Sequence, residues 1–145
     1  MNPKIVQKKF DEAYFKKCRD ILLNRKFNKI GCGASRYGFQ RGNVVIKVPY
    51  NAGGYTDNIM EAYMYNQWRK EPDMKGRFYA PCRLLPDACL MMMFIKRGAY
   101  HELPDWLVSM DGGQGGKYHD RIVAYDSAYN ITDMKPYAMR WAGLE

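Results

Sequence analysis

One lysine constrains this chain more than any other residue. Lys47 stands inside Val44-Val45-Ile46-Lys47-Val48, a β-branched run closed by Pro49, which reads as a strand burying at least one face. Taking an ammonium out of water costs several kcal/mol unless an anion meets it, so a buried Lys47 demands a carboxylate. Glu61, in the helix that follows, is a plausible partner. Alternation equally allows Lys47 to lie on the water face of an edge strand, and the spacing alone permits both.

The other elements are arranged around that strand. Residues 7–25 place Phe10, Tyr14, Cys18, Ile21 and Leu22 at steps of three and four, an amphipathic helix with Lys8, Lys9, Lys16, Lys17 and Arg19 mostly elsewhere on the wheel. Residues 30–39 are Gly-rich, and Arg41-Gly42-Asn43 marks a tight turn, so two or three antiparallel strands joined by hairpins are expected. Asn51-Ala52-Gly53-Gly54 reads as a loop. Residues 57–69 form a second helix, capped by Asp57 or Asn58, with Met60, Tyr63, Met64 and Trp68 as its apolar positions. Residues 77–85 and 88–95 read as a pair of strands around Pro86-Asp87. Residues 103–110 form a short helix, 112–116 a flexible stretch, and 121–125 a short buried strand delivering Asp126. Signals beyond residue 126 are weak. This order predicts one α+β domain over residues 1–145, an antiparallel sheet with flanking helices. It divides into a basic helical segment (1–29), a sheet with its helix (30–98) and a reduced C-terminal part (99–145).

Charge narrows the partners. Residues 1–50 hold twelve basic and three acidic side chains, a net +9, while residues 51–145 hold 11 and 12, a net −1. A polyanion met by the first third is implied, whether nucleic acid, phosphate or nucleotide, and acidic mimicry of DNA is excluded. The cysteines Cys18, Cys32, Cys82 and Cys89 lack C-x-x-C spacing, and His101 and His119 add no zinc pattern. MNPKIVQKKF contains no apolar signal segment. The longest apolar run, residues 88–95, falls short of the roughly 20 residues a membrane helix needs. A soluble cytoplasmic protein with reduced thiols and no membrane partner is expected. Ser35, Ser109 and Ser127 have no histidine at a useful spacing, which sets nucleophilic catalysis aside. Tyr63, Trp68, Phe94 and Trp106 read as packing residues rather than base-stacking ones.

A Gly-rich hairpin, a strand lysine, a helix glutamate, two strands and a strand-end aspartate, in that order, resemble the amino-terminal lobe of the protein-kinase superfamily, including its small bacterial and phage-encoded members. The resemblance spans about residues 30–126. It implies that Gly31 and Gly33 let a loop close over nucleotide phosphates, that Lys47 of Val45-Ile46-Lys47 holds those phosphates, and that Glu61 orients Lys47. It places Met93, in the strand and hinge of residues 90–98, near an adenine. Asp126, ending Ile122-Val123-Ala124-Tyr125, would bind magnesium. ATP and Mg²⁺ follow as the implied cofactors.

The departures from the family pattern bear on activity. The third glycine of G-x-G-x-x-G falls on Arg36, with Gly38 two places later. Ser127-Ala128 follows Asp126 in place of Phe-Gly, and no His-Arg-Asp occurs. In Asp111-Gly112-Gly113-Gln114, Asp111 is the candidate to accept a substrate hydroxyl proton, and Gln114 the candidate for the metal-binding asparagine. Only 19 residues follow Asp126, leaving little of the lobe that holds a peptide substrate. The expected function is a minimal kinase-like nucleotide binder, either a reduced phosphotransferase or a pseudokinase acting on a host protein, in the cytoplasm of the host if phage-encoded. The alternative is a non-enzymatic basic protein that presents residues 1–50 to nucleic acid or inhibits a host protein.

Overall fold

The β-branched run and the glycine before it form a meander. The computed structural model describes residues 3–69, 77–109, 113–127 and 132–144. Strands β1 (Asn28–Cys32), β2 (Arg36–Arg41) and β3 (Val44–Pro49) run antiparallel, and Gly42, at φ +60°, turns β2 into β3. With β4 (Cys82–Leu84) and β5 (Leu90–Met93) they make a five-stranded sheet ordered β1-β2-β3-β5-β4. The antiparallel α+β class is as expected. β3 is the middle strand, with Lys47 opposite Gly38 of β2 and Leu90 of β5. An edge position for Lys47 therefore falls away; the edge strands are β1, exposed along its length, and β4.

Both long helices start elsewhere than the periodicity suggests. Helix α1 (Glu12–Asn24) begins later, because Asp11 caps it by accepting the Tyr14 amide at 3.1 Å. Its fully buried residue is Phe15, stacked on Phe10 and edge-on to Tyr55; Phe10, Tyr14, Cys18 and Leu22 of the expected stripe pack against the core, and Ile21 is 49% exposed. Helix α2 (Ala52–Trp68) begins earlier. Asn51, not Asp57 or Asn58, is its cap and accepts the Gly54 amide at 2.9 Å. The Gly53-Gly54 pair disguised this first turn as a loop. Gly54 is there because the β1–β2 loop lies against it: a Cβ would overlap the Ser35 carbonyl oxygen.

Beyond β5 the chain forms a 3-10 turn (Tyr100–Glu102), the short helix α3 (Asp105–Val108) and a second sheet, the hairpin of β6 (Gly115–Tyr118) and β7 (Arg121–Ala124). Gly115 and Gly116, read from sequence as part of a flexible stretch, are strand residues. A Cβ on Gly116 would overlap the Lys96 carbonyl, and one on Gly115 would stand 2.6 Å from the Val123 carbonyl oxygen. Backbone bonds from Ala80 to Ala124 (2.8 Å) and from Ala124 to Phe78 (3.0 Å) tie β7 to the segment before β4. The tail is structured too. After a 3-10 turn (Thr132–Met134), α4 (Lys135–Trp141) packs on α2, burying Ala138 and setting Trp141 edge-on to Tyr63 with ring centroids 5.6 Å apart. Phe15, Phe39, Val48, Ile59, Leu90, Leu107 and Val123 are among the most deeply buried residues of one continuous core. Among the described residues, no helix is long and apolar enough to cross a membrane.

Candidate functional site

The middle strand carries Lys47 to α2, where its ammonium donates to both carboxylate oxygens of Glu61 at 3.2 Å and also to the Tyr125 carbonyl. Glu61 is 1% exposed, so the pair is shielded from solvent on the helix side. Burial pulls the lysine below its ordinary pKa, against the opposing charge of Glu61. For Glu61, burial works to raise the pKa, but Arg36 first and Lys47 second outweigh it and hold the carboxyl below its ordinary value. The Ser127 amide, donating to Glu61 Oε1 at 2.9 Å, acts in the same sense.

Arg36 is the residue the sequence reading passed over. It opens β2, is buried, and places its guanidinium on three partners. Nη1 donates to Glu61 and, at 3.1 Å, to Asn58 Oδ1, while Nη2 donates to Asp126 Oδ1 at 2.8 Å. Asn58 in turn donates to the carbonyls of Lys47 and Ala88, both at 3.0 Å, which anchors β3 and the turn before β5 to α2. Two cations and two carboxylates thus form one network joining the β1–β2 hairpin, α2 and the end of β7. Two signals pointed here: an arginine where the family pattern has its third glycine, and Asn58 one helical turn from Glu61.

The network lines the wall of a cavity of about 660 Å³. Of the expected site residues, Gly31, Gly33, Lys47, Met93, Gln114 and Asp126 all border it, while Glu61 sits behind Lys47. Asp111 lies outside the described residues. At Gly31 a Cβ would meet nothing within 4 Å, and at Gly33 only the Arg36 carbonyl at 3.9 Å. Neither glycine has a positive φ, so nothing within the fold demands glycine there. Val45, Met92 and Phe94 give the cavity an apolar flank, and Lys96 and Arg97 add positive charge at its rim. Phe94, expected as a packing residue, is 36% exposed on this flank. The amides of Met93 and Phe94 already donate to Pro81 (2.9 Å) and Asn43 (2.8 Å), so an adenine contact at Met93 would be through its side chain or carbonyl.

The magnesium implied by the resemblance does not fit this donor set. Asp126, the carboxylate that would bind it, already accepts from a guanidinium, and each of the two central carboxylates is matched by a cation. Among the described residues the grouping of Cys, His, Asp and Glu atoms close enough to share an ion is Cys18, Asp87 and Cys89, all within 4.8 Å of one another, and none of them borders the cavity. Cysteine spacing in the sequence gave no hint of that grouping, because the fold, not the chain, brings α1 to the turn before β5. There Asp87 accepts the Tyr14 hydroxyl at 2.8 Å and the Cys89 amide at 2.9 Å, stapling the helix to the sheet. Compared with protein-family models, with curated proteins and with solved structures, the chain matches none, and the site is read from its own geometry.

Proposed function

We propose that this chain is a minimal kinase-like protein that binds a nucleotide, ATP in the first instance, in the cavity beside Lys47, as a pseudokinase or a reduced phosphotransferase. The observation that carries the reading is the Lys47–Glu61 pair, buried on the wall of a cavity bordered by Gly31 and Gly33. A solvent-shielded ammonium held 3.2 Å from a helix carboxylate costs stability that a purely structural strand would avoid with an apolar residue. Its position makes sense if phosphate oxygens join Glu61 and the Tyr125 carbonyl around it. The flank of Val45, Met92 and Phe94 suits a purine face, and the cations at the rim favour an anionic ligand.

The test is a melting scan with millimolar ATP. Bound ligand at about 100 times Kd adds roughly 2.7 kcal/mol, so the unmodified protein gains several degrees. Lys47→Met keeps the fold, because Arg36 still neutralises Glu61, and loses that gain. Unchanged ATP affinity of the Lys47→Met protein in a calorimetric titration overturns the assignment. The second reading, a basic interaction surface for nucleic acid or a host protein, draws on exposed Lys8, Lys9, Lys16 and Lys17. It gains ground if ATP shifts no melting temperature while binding to a polyanion weakens steeply with salt.

A further inference from the structure

Arg36 changes what the cavity asks of its ligand. In the arrangement the resemblance implies, the aspartate that closes the apolar strand offers an oxygen to a divalent cation, and that cation neutralises the phosphates. Here Asp126 Oδ1 accepts from Arg36 Nη2 at 2.8 Å, which sets a fixed cation against this carboxylate, and the same guanidinium is held by Glu61 and Asn58. A delocalised charge held by three acceptors on two elements is not a mobile surface side chain, and Arg36 is only 9% exposed. The charged side chains bordering the cavity are Arg36, Lys47, Lys96 and Arg97 against Asp57 and Asp126, so the lining is net positive before any metal arrives. A divalent cation beside Arg36 would add like charge at close range, with Asp57, which accepts the Ser35 hydroxyl, as the one further carboxylate bordering the cavity among the described residues. Arginine suits the vacated role, since its planar fork matches phosphate geometry and stays charged at any working pH.

Resting on the nucleotide reading, we infer that the cavity takes the polyphosphate of its nucleotide free of divalent metal, with the guanidinium of Arg36 supplying the charge that magnesium supplies elsewhere. Arg36 and Lys47 then neutralise the phosphates from two sides. Asp126 serves as a positioning residue that aims Arg36, not as a metal ligand.

Calorimetric titration of the full chain with ATP, once in EDTA and once with excess magnesium, decides the matter. The expected result is affinity in EDTA equal to or tighter than that with magnesium. Binding that appears only with magnesium, or is tenfold or more weaker in EDTA, overturns this inference and leaves the nucleotide reading standing. Absence of binding in both buffers overturns the nucleotide reading itself. Arg36→Gly, checked for folding by circular dichroism, is expected to lose at least tenfold in EDTA and to recover with magnesium, because Asp126 is then released. Arg36→Lys, which retains the charge, is expected to keep most of its EDTA binding. If Arg36→Gly binds in EDTA as tightly as the unmodified chain, Arg36 does not act on the phosphates.

Discussion

Two glycine-bearing hairpins stand by the cavity: β1–β2, whose Gly31 and Gly33 border it, and β6–β7, which meets it through the flanking Gln114, Tyr125 and Asp126 and has Gly115 and Gly116 next along the chain from Gln114. In the second, both glycines are crowded: added methyl groups would run into Leu107, Val123 and the Lys96 backbone. In the first, they would meet open space or one carbonyl at 3.9 Å. The same letter in the sequence thus marks close packing in one hairpin and vacant room beside a cavity in the other. What connects the two hairpins is charge, since Arg36 opens β2, Asp126 follows β7, and Glu61 holds both ends through Arg36 and the Ser127 amide.

The largest effect is expected where that connection is cut. Glu61→Ala leaves two buried cations without their shared partner, a loss of about 3–5 kcal/mol, read from the urea midpoint. The pH dependence has a definite sign. Because the native carboxyl is held below its ordinary value of 4.5, Glu61 contributes stability in full above that value, and the contribution is lost as pH falls through the native pKa. The unmodified protein should therefore weaken in acid more steeply than the Glu61→Ala protein. A loss under about 1 kcal/mol would mean the hairpins are joined by packing alone.

Gly116→Ala comes next. Its methyl would overlap the backbone carbonyl of Lys96, which cannot rotate away as a side-chain tip could, so the β6–β7 hairpin must shift against the segment after β5. A loss of about 1–3 kcal/mol is expected, seen as a lower melting temperature. A neutral result would make this hairpin as tolerant as its counterpart and end the contrast.

How much of this the sequence disclosed follows from the range of the interactions. The β3 lysine, the α2 glutamate and the Asp126 strand were legible because each lies in a local pattern: β-branched run, helix, apolar run. Residues whose role depends on contacts distant in sequence were not. Arg36 reads as a broken glycine motif until the fold brings Asp126, 90 positions away, to its Nη2. Gly53-Gly54 reads as a loop because nothing local announces that Ser35 will press against the helix start. Gly115 and Gly116 read as flexible for the same reason, their neighbours being Lys96 and Leu107. The α1 stripe was legible in Phe10, Tyr14, Cys18 and Leu22, which pack against the core, but not in Phe15, which turns inward, or Ile21, which turns out.

Gly31→Ala is expected to have the smallest effect on stability and the most informative one. Its Cβ meets no atom within 4 Å and its φ is not left-handed, so the fold should absorb it within about 0.5 kcal/mol. The sign should lean towards gain, because alanine loses less backbone freedom than glycine on joining a strand. ATP affinity should nevertheless fall several-fold, since the backbone beside the cavity then carries a methyl where phosphates approach. That split, stability kept and binding weakened, is what distinguishes a glycine kept for a ligand from one kept for packing. If titration gives the affinity of the unmodified chain, the space beside Gly31 is not where the phosphates lie, and the β1–β2 hairpin is only an edge that happens to be rich in glycine.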